Sequence, residues 1–299
     1  MKKKRKNQFI SQILSVLLVA MLLFTGCNSS TDTSATTPST NLQTESQSEE
    51  SSATESVEES VEEAVGDGTV VFYVTRHGKT MFNTVHRAQG WADTPLTEAG
   101  IGVAENLGLG LKAEGIDFVA VYSSNAGRAR ETAQIILASK GQENLNIVEY
   151  KNLREHGFGL FEGDLDENMW GAAAKVLGYE DMNAMMADFD TIGYEAAVAA
   201  IETAEGTGDV ENVQEVKERT QAVLKEIAEK TAKDGGGNVL IVSHGMAISS
   251  MISDMTEEPI TGQLPNASVT KITYKDGEFT VEAIGDTSYI ELGESLAVK

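Results

Sequence analysis

Arg76-His77-Gly78 and His244-Gly245 each break off an apolar run, Val70 to Val74 in one case and Val239 to Val242 in the other. Arg128 follows a third such run, Phe118 to Tyr122, across the short segment Ser123-Ser124-Asn125. Two guanidinium groups and two imidazoles on one rim would make an oxyanion trap. The arginine fork matches phosphate oxygens, and an imidazole can serve as nucleophile, base or hydrogen-bond donor. Arg128 also stands near the start of an expected helix, whose free N–H groups favour an anion. Arg-His-Gly is a weak signal by itself, so the weight falls on the convergence of all four side chains.

Convergence requires elements that bring these residues together. Val70, Val71, Phe72, Tyr73 and Val74 are β-branched or aromatic without interruption, the pattern of a strand buried on both faces of a parallel sheet. Phe118 to Tyr122 and Asn238 to Ser243 read the same way. Thr97 can cap a helix that places Ile101, Ala104, Leu107, Gly108 and Leu111 on one face. A further helix over about 126–138 packs Ala129, Ala133, Ile136 and Leu137. This alternation predicts an α/β fold, three-layer α/β/α around a mostly parallel central sheet with helices on both faces. Such sheets bind ligands beyond the carboxyl ends of their strands, which is where the four residues fall. Ile147 to Tyr150 reads as a short edge strand, and Asn212 to Thr231 as a helix opened by an Asn212–Glu215 capping box. Val269 to Tyr274 and Phe279 to Ile284 read as an antiparallel hairpin. Residues 164–211, rich in Ala, Met, Asp and Glu, read as two or three short helices forming a small helical cap insertion beside the pocket.

The amino-terminal part of the 299-residue chain has a different character. Lys2, Lys3, Lys4, Arg5 and Lys6 precede a largely apolar stretch from Ile10 to Phe24, as in a secretory leader spanning 1–26. Leu23-Phe24-Thr25-Gly26-Cys27 resembles the lipobox of bacterial lipoproteins, which implies cleavage before Cys27 and a lipid on that cysteine. An uncleaved membrane anchor is the alternative, although the apolar run is shorter than the roughly 20 residues a spanning helix needs. Residues 28–68 hold ten acids, no Lys or Arg, and very little to bury, so 27–68 is expected to be a disordered acidic tether. Val57, Val61 and Val65 could form a short amphipathic helix there, with too thin a stripe to stand alone. The net charge of −23 would become more negative on losing the leader, and this excludes nucleic acid as an expected partner. Cys27 is the single cysteine, so an intramolecular disulfide and a cysteine metal site are both excluded. The expected location is extracytoplasmic, with membrane contact only through the lipid on Cys27.

Five ordered segments of 69–299 resemble the histidine phosphatases, the phosphoglycerate mutase-like superfamily. They are Thr75-Arg76-His77-Gly78 with Thr80 and Asn83; Gln89-Gly90-Trp91 with Asp93 and Leu96-Thr97; Ser123-Ser124 through Arg128-Ala129 with Thr132-Ala133; Leu153-Arg154-Glu155 with Phe158-Gly159 and Glu162-Gly163; and Val242-Ser243-His244-Gly245. The resemblance implies that His77 attacks phosphorus and becomes a transient phosphohistidine. It also implies that Arg76, Arg128 and His244 hold the phosphoryl oxygens, and that Glu155 protonates the leaving oxygen and then activates water. Thr80, Asn83, Gln89 and Gly90 are implied substrate-binding positions. No metal or organic cofactor is implied, and the implied substrate is a small phosphorylated molecule. Asn125-Ala126 departs from the acidic-leucine pair usual in the family, which bears on the helix cap. Lys79 stands where an acid is common, either drawing a more anionic substrate or simply solvated.

His86 and His156 lack the H-x-x-x-H spacing of a metal site and read as loop histidines, each able to reach the pocket rim. Trp91, Trp170, Phe161, Met182, Met185 and Met186 read as packing within the cap, or as substrate contacts. The expected activity is a surface-tethered phosphatase acting on small phosphate monoesters. Two alternatives stand beside it, mutase-type phosphoryl transfer and a non-catalytic anion-binding surface module. The segment Gly293 to Lys299 is not the lysine-rich closing tail a mutase would use to keep water out, and export removes the chain from cytosolic glycolysis.

Overall fold

The computed structural model describes residues 66–260 and 264–297. The expected leader, Cys27 and the tether as far as Val65 lie outside the described residues, as does the Val57–Val65 helix. Strand β1 (Val70–Arg76) leads through the short helix α1 (Met81–Thr84) to α2 (Glu98–Ala113), β2 (Phe118–Ser124), α3 (Gly127–Lys140) and the short strand β3 (Ile147–Tyr150). Four helices follow, α4 (Asp166–Val176), α5 (Met182–Ala187), α6 (Phe189–Ile192) and α7 (Tyr194–Glu205). The chain then runs through α8 (Val213–Lys233), β4 (Gly237–Ser243), α9 (Gly245–Ile252), β5 (Val269–Lys275), β6 (Glu278–Asp286) and α10 (Ser288–Ala297).

The six strands lie in the order β3-β2-β4-β1-β5-β6. β3, β2, β4 and β1 are mutually parallel, while β5 runs antiparallel to β1 and β6 antiparallel to β5. Alternation along the central strands explains the layers. Phe72, Val74, Val239 and Ile241 face α8 and α9 through Val223, Ile227, Ile248 and Met251. Tyr73, Leu240 and Val242 face α2 and α3 through Leu107, Leu111, Ala133 and Ile136. With both faces covered, β1, β2 and β4 need unbroken apolar runs, which they have.

Two features differ from the sequence-based expectation. The cap holds four helices rather than two or three short ones, and α4 and α7 reach 11 and 12 residues. Ala173, Ala174, Ala197 and Ala200 let these two pack closely. The carboxyl end also forms a helix, α10, laid against α2. A Cβ on Gly293 would fall 1.8 Å from the Asn106 carbonyl oxygen, and one on Gly110 1.8 Å from that of Tyr289, so the contact requires glycine on both helices. A ten-residue helix is marginal alone, and this packing is what sustains α10.

Candidate active site

β1, β4 and β2 are neighbours, so their carboxyl ends deliver Arg76-His77, His244 and the segment leading to Arg128 to one rim. The His77 N–H donates to the Ser243 carbonyl (3.0 Å), tying the end of β1 to the end of β4. Ring centroids of His77 and His244 lie 5.2 Å apart, edge to face.

His77 is buried and lines a cavity of about 220 Å³. Its Nδ1 lies 2.8 Å from the Gly78 carbonyl oxygen. A carbonyl only accepts, so Nδ1 carries the ring proton and Nε2 keeps its lone pair. Burial, followed by the charges of Arg128 and Arg76, pushes the pKa well below the usual 6.5, so the ring is neutral at pH 7. The result is a neutral imidazole with one free basic nitrogen, the form a nucleophile requires.

His244 is completely buried, and burial is again the first cause of its strongly lowered pKa, ahead of Arg128. Its Nε2 sits 2.8 Å from Ser124 Oγ, which also accepts the Ala126 N–H at 3.3 Å. The assignment that satisfies both groups has the Ser124 hydroxyl donating to Nε2, which leaves the proton on Nδ1. Nδ1 itself has no partner.

Arg128 is fully enclosed. Its Nη1 donates to the Ala92 carbonyl (2.9 Å) and to Asp93 Oδ1 (3.0 Å), and its Nη2 to the carbonyls of Gln89 (3.2 Å) and Gly90 (2.8 Å). The fork therefore holds the 89–93 loop, and Nε is the one donor nitrogen left over. Arg76 donates through Nη1 to the Leu264 carbonyl, and its Nε is likewise unpaired. That Nε lies beside the start of α9, 3.4 Å from where a Cβ on Gly245 would be. Among the described residues, the buried side-chain nitrogens without a partner are Arg76 Nε, Arg128 Nε and His244 Nδ1. Leaving a buried donor unpaired costs about 1–3 kcal/mol. Of these three residues Arg76 lines the cavity, whereas Arg128 and His244 do not line it and stand close to His77 in its enclosed surroundings.

Glu155 reaches the rim from the loop after β3. Its Oε1 accepts from the N–H groups of His156 (3.0 Å) and Ala247 (2.7 Å), and its Oε2 from that of Met246 (3.0 Å). The carboxylate thus sits on the amino terminus of α9, with Oε2 accepting one of the three bonds and Oε1 two. Glu155 also lines the cavity.

The implied binding residues separate into two groups. Asn83 and Gln89 line the cavity. Thr80 is completely buried, donates to Gln89 Oε1 (2.6 Å) and caps α1, so it positions Gln89 rather than meeting a ligand. Gly90 does not line the cavity either. Its carbonyl accepts from Arg128, and a Cβ there would fall 2.1 Å from the His156 carbonyl oxygen. Lys79 and Arg87 line the cavity, whereas Arg130 pairs with Glu149 and Arg154 donates to Asn125 Oδ1 (2.6 Å) beside the Trp91 ring. The Asn125-Ala126 departure is answered from another loop. Ala126 offers α3 no side-chain cap, and Asp93 accepts the Gly127 N–H in its place.

His156 is a buried bracing residue, not a rim histidine. Its Nδ1 donates to the Glu211 carbonyl (3.1 Å) and its Nε2 meets Ser250 Oγ (2.8 Å). Arg219 and Asn266 went unnoticed in the sequence, and Glu162 was named there within a motif without a role of its own. Arg219 donates to the carbonyls of Asn152, Arg154 and Glu155 and pairs with Glu211. Glu162 accepts from the N–H groups of Gly90, Trp91, Ala92 and Phe158, joining the 89–93 loop to the Glu155 loop. Asn266 donates to the His77 carbonyl at 3.0 Å. No local pattern marks Arg219 or Asn266, whereas Glu162 lay inside a segment already singled out.

A parallel-sheet rim with a neutral imidazole, two arginines, a second imidazole and an anchored carboxyl is an arrangement suited to a phosphoryl group. The chain belongs to the histidine phosphatase superfamily (branch 1), whose sequence model matches residues 72–287. It is 29% identical over 229 residues to the Yersinia pestis (strain Pestoides F) protein named "Probable phosphoglycerate mutase GpmB", covering 74% of this chain and 94% of that one. The crystal structure titled phosphoglycerate mutase from Bacillus anthracis str. Sterne is 44% identical, with a TM-score of 0.72, and the match covers 77% of this chain and 99% of that one. A phosphoserine phosphatase from Entamoeba histolytica, solved with 3-phosphoglyceric acid, is 22% identical with a TM-score of 0.54, covering 74% of this chain and 99% of that one; at that identity the likeness speaks for the fold. A protein titled a phosphatase and one titled a mutase thus share this fold.

Proposed function

We propose that this protein is a phosphatase that hydrolyses small phosphate monoesters through a phosphohistidine on His77, without a metal. The observation that carries it is the free Nε2 lone pair of a neutral His77 on a rim with three unpaired buried donors. Nε2 attacks phosphorus in line, the bond to the ester oxygen breaks, and Glu155 Oε2 delivers a proton to the departing alcohol. The Glu155 carboxylate then takes a proton from water, whose oxygen attacks phosphorus and breaks the P–N bond, releasing phosphate and His77. Arg76 Nε, Arg128 Nε and His244 Nδ1–H stabilise the equatorial charge in both steps.

The test is hydrolysis of p-nitrophenyl phosphate by the full-length protein with chelator present, beside His77→Ala. Activity that survives chelator and vanishes with His77 sustains the reading. Activity retained in His77→Ala removes the phosphohistidine, and phosphate binding without turnover of any ester leaves an anion-binding module. Mutase-type transfer is a second reading, favoured by the names of the Yersinia and Bacillus anthracis relatives. It predicts interconversion of 2- and 3-phosphoglycerate faster than release of phosphate.

We also propose that Cys27 carries a lipid that tethers the domain outside the cytoplasm through residues 28–68. The lipobox-like Leu23 to Cys27 supports this. Mass spectrometry of the mature amino terminus should find diacylglyceryl-Cys27, and Cys27→Ala should leave the protein unlipidated; an unmodified Cys27 within an intact leader would refute the anchor.

A further inference from the structure

The rim cavity is not closed on its cap side. His86, Asp166, Trp170, Tyr194 and Met246 form a wall shared with a second cavity of about 770 Å³, more than three times the size of the first. Leu165, Met182, Met186 and Phe189 complete its apolar surface, with Glu167 and Asp190 beside them. Chemistry changes across the shared wall. Arg76, Lys79 and Arg87 lie at the phosphate end, and thioethers, rings and carboxylates at the other.

The cap has an apolar core of its own, which includes Trp170 and is packed by Met182, Phe189 and Met246 but leaves Leu165 and Met186 outside it. Met185 is completely buried in it, whereas its neighbour Met186 is 38% exposed and Leu165 39% exposed. Both exposed residues face the second cavity. The junction is also held in an uncommon conformation. His86 adopts a left-handed backbone (φ 54°) while its carbonyl accepts the Asp166 N–H at 2.9 Å, fixing the wall between the two cavities.

We propose that the second cavity is the leaving-group subsite, and that the preferred substrates are phosphate monoesters of a bulky apolar alcohol carrying no second anionic group. The inference rests on the phosphatase reading for its chemistry. Phosphate seated at the rim places the ester oxygen toward Glu155 and the rest of the molecule toward the shared wall. Each buried methylene contributes about 0.8 kcal/mol, so an apolar chain gains substantially by entering. Met182, Met186 and Met246 are unbranched and polarizable, so the subsite adapts to chains and rings of different shape. A carboxylate in the same place would face Asp166, Glu167 and Asp190, and like charges a few ångströms apart repel. This subsite therefore selects against phosphoglycerates, in contrast to the mutase relatives' names.

The experiment compares kcat/KM for n-octyl phosphate, ethyl phosphate and 3-phosphoglycerate with the full-length protein, the octyl ester being kept below its micellar concentration. All three release a primary alcohol, so the bond-breaking step is matched. The octyl ester should exceed the ethyl ester by about tenfold or more, and 3-phosphoglycerate should be the poorest. Met186→Asp, at a position 38% exposed and outside the cap's apolar core, should collapse the octyl-to-ethyl ratio toward one. Equal rates for the octyl and ethyl esters, a preference for 3-phosphoglycerate, or an unchanged ratio in Met186→Asp would each overturn the subsite. If none of the esters turns over, the phosphatase reading fails by itself, and calorimetry decides the subsite. Octyl phosphate binding about tenfold tighter than ethyl phosphate sustains it, and equal affinities overturn it.

Discussion

The rim and the cap are held together by opposite means. At the rim, Arg128 makes four donor contacts to the 89–93 loop, Glu162 gathers four backbone N–H groups, and Arg219 ties down the carbonyls of Asn152, Arg154 and Glu155. In the cap, Met169, Trp170, Ala173, Met185, Ala197 and Ile201 pack apolar surface against apolar surface. The Tyr194 hydroxyl, donating to the Met246 carbonyl at 2.9 Å, is one of its polar ties to the sheet layer. Hydrogen bonds are directional and fix atoms to fractions of an ångström, which in-line phosphoryl transfer requires. Apolar packing tolerates changes of shape, which suits a surface that receives a variable leaving group. One fold thus separates what must be constant from what can vary.

The largest expected break in that comparison is Glu155→Gln. Removing the proton donor should slow alkyl phosphates by about 10²–10⁴-fold and an activated aryl ester far less. Equal losses in kcat/KM on ethyl and p-nitrophenyl phosphate would take Glu155 out of the acid role. Arg128→Ala comes next, with a loss of about 10²–10³ in kcat on every ester alike. Four acceptors would also lose their donor, so the melting temperature should fall; an effect confined to KM would make Arg128 a binding residue only. Ile201→Ala tests the other region. The fully buried side chain sits in the cap core, so the change should cost about 2–4 kcal/mol in chemical denaturation. It should move the octyl-to-ethyl ratio more than the rate on ethyl phosphate, and a uniform loss on all esters would mean that the cap also shapes the rim.

The smallest effect is that of acid. His77, His156 and His244 all have lowered pKa values, with burial as the leading cause, and all three belong to the rim and its bracing. The unfolded chain binds protons at these positions below about pH 6.5 while the folded chain does not, so stability is lost as pH falls through that value. Because His77 stays neutral, turnover should persist below pH 6.5 while the melting temperature drops. A rate that fell in step with a pKa of about 6.5 would show that His77 titrates normally.

Much of the fold was legible from local pattern. Unbroken apolar runs mark β1, β2 and β4 because a strand covered on both faces has no place for a polar side chain. Thr97 and the Asn212–Glu215 box mark the starts of α2 and α8 because a cap is satisfied within one turn. Helix α10 was not legible, since it exists through a close contact with α2 that only Gly110 and Gly293 permit. The same division runs through the site. Arg76, His77, Arg128 and His244 declare themselves by standing at strand ends. Arg219 and Asn266 do not, because their partners lie 64 to 67 residues away in one case and 189 in the other.

By itself the sequence determined which chemistry is present and on which strand ends it falls, because residue type and apolar periodicity are local properties. Tertiary structure decided what each group has left to offer. It turned the Arg128 fork toward the 89–93 loop so that Nε remained, put the His77 proton on Nδ1, made Thr80 and Gly90 supports, and joined the rim to an apolar cavity in the cap. The physical reason is that a hydrogen bond or a cavity wall depends on which groups meet in space, and those groups come from segments far apart in the chain.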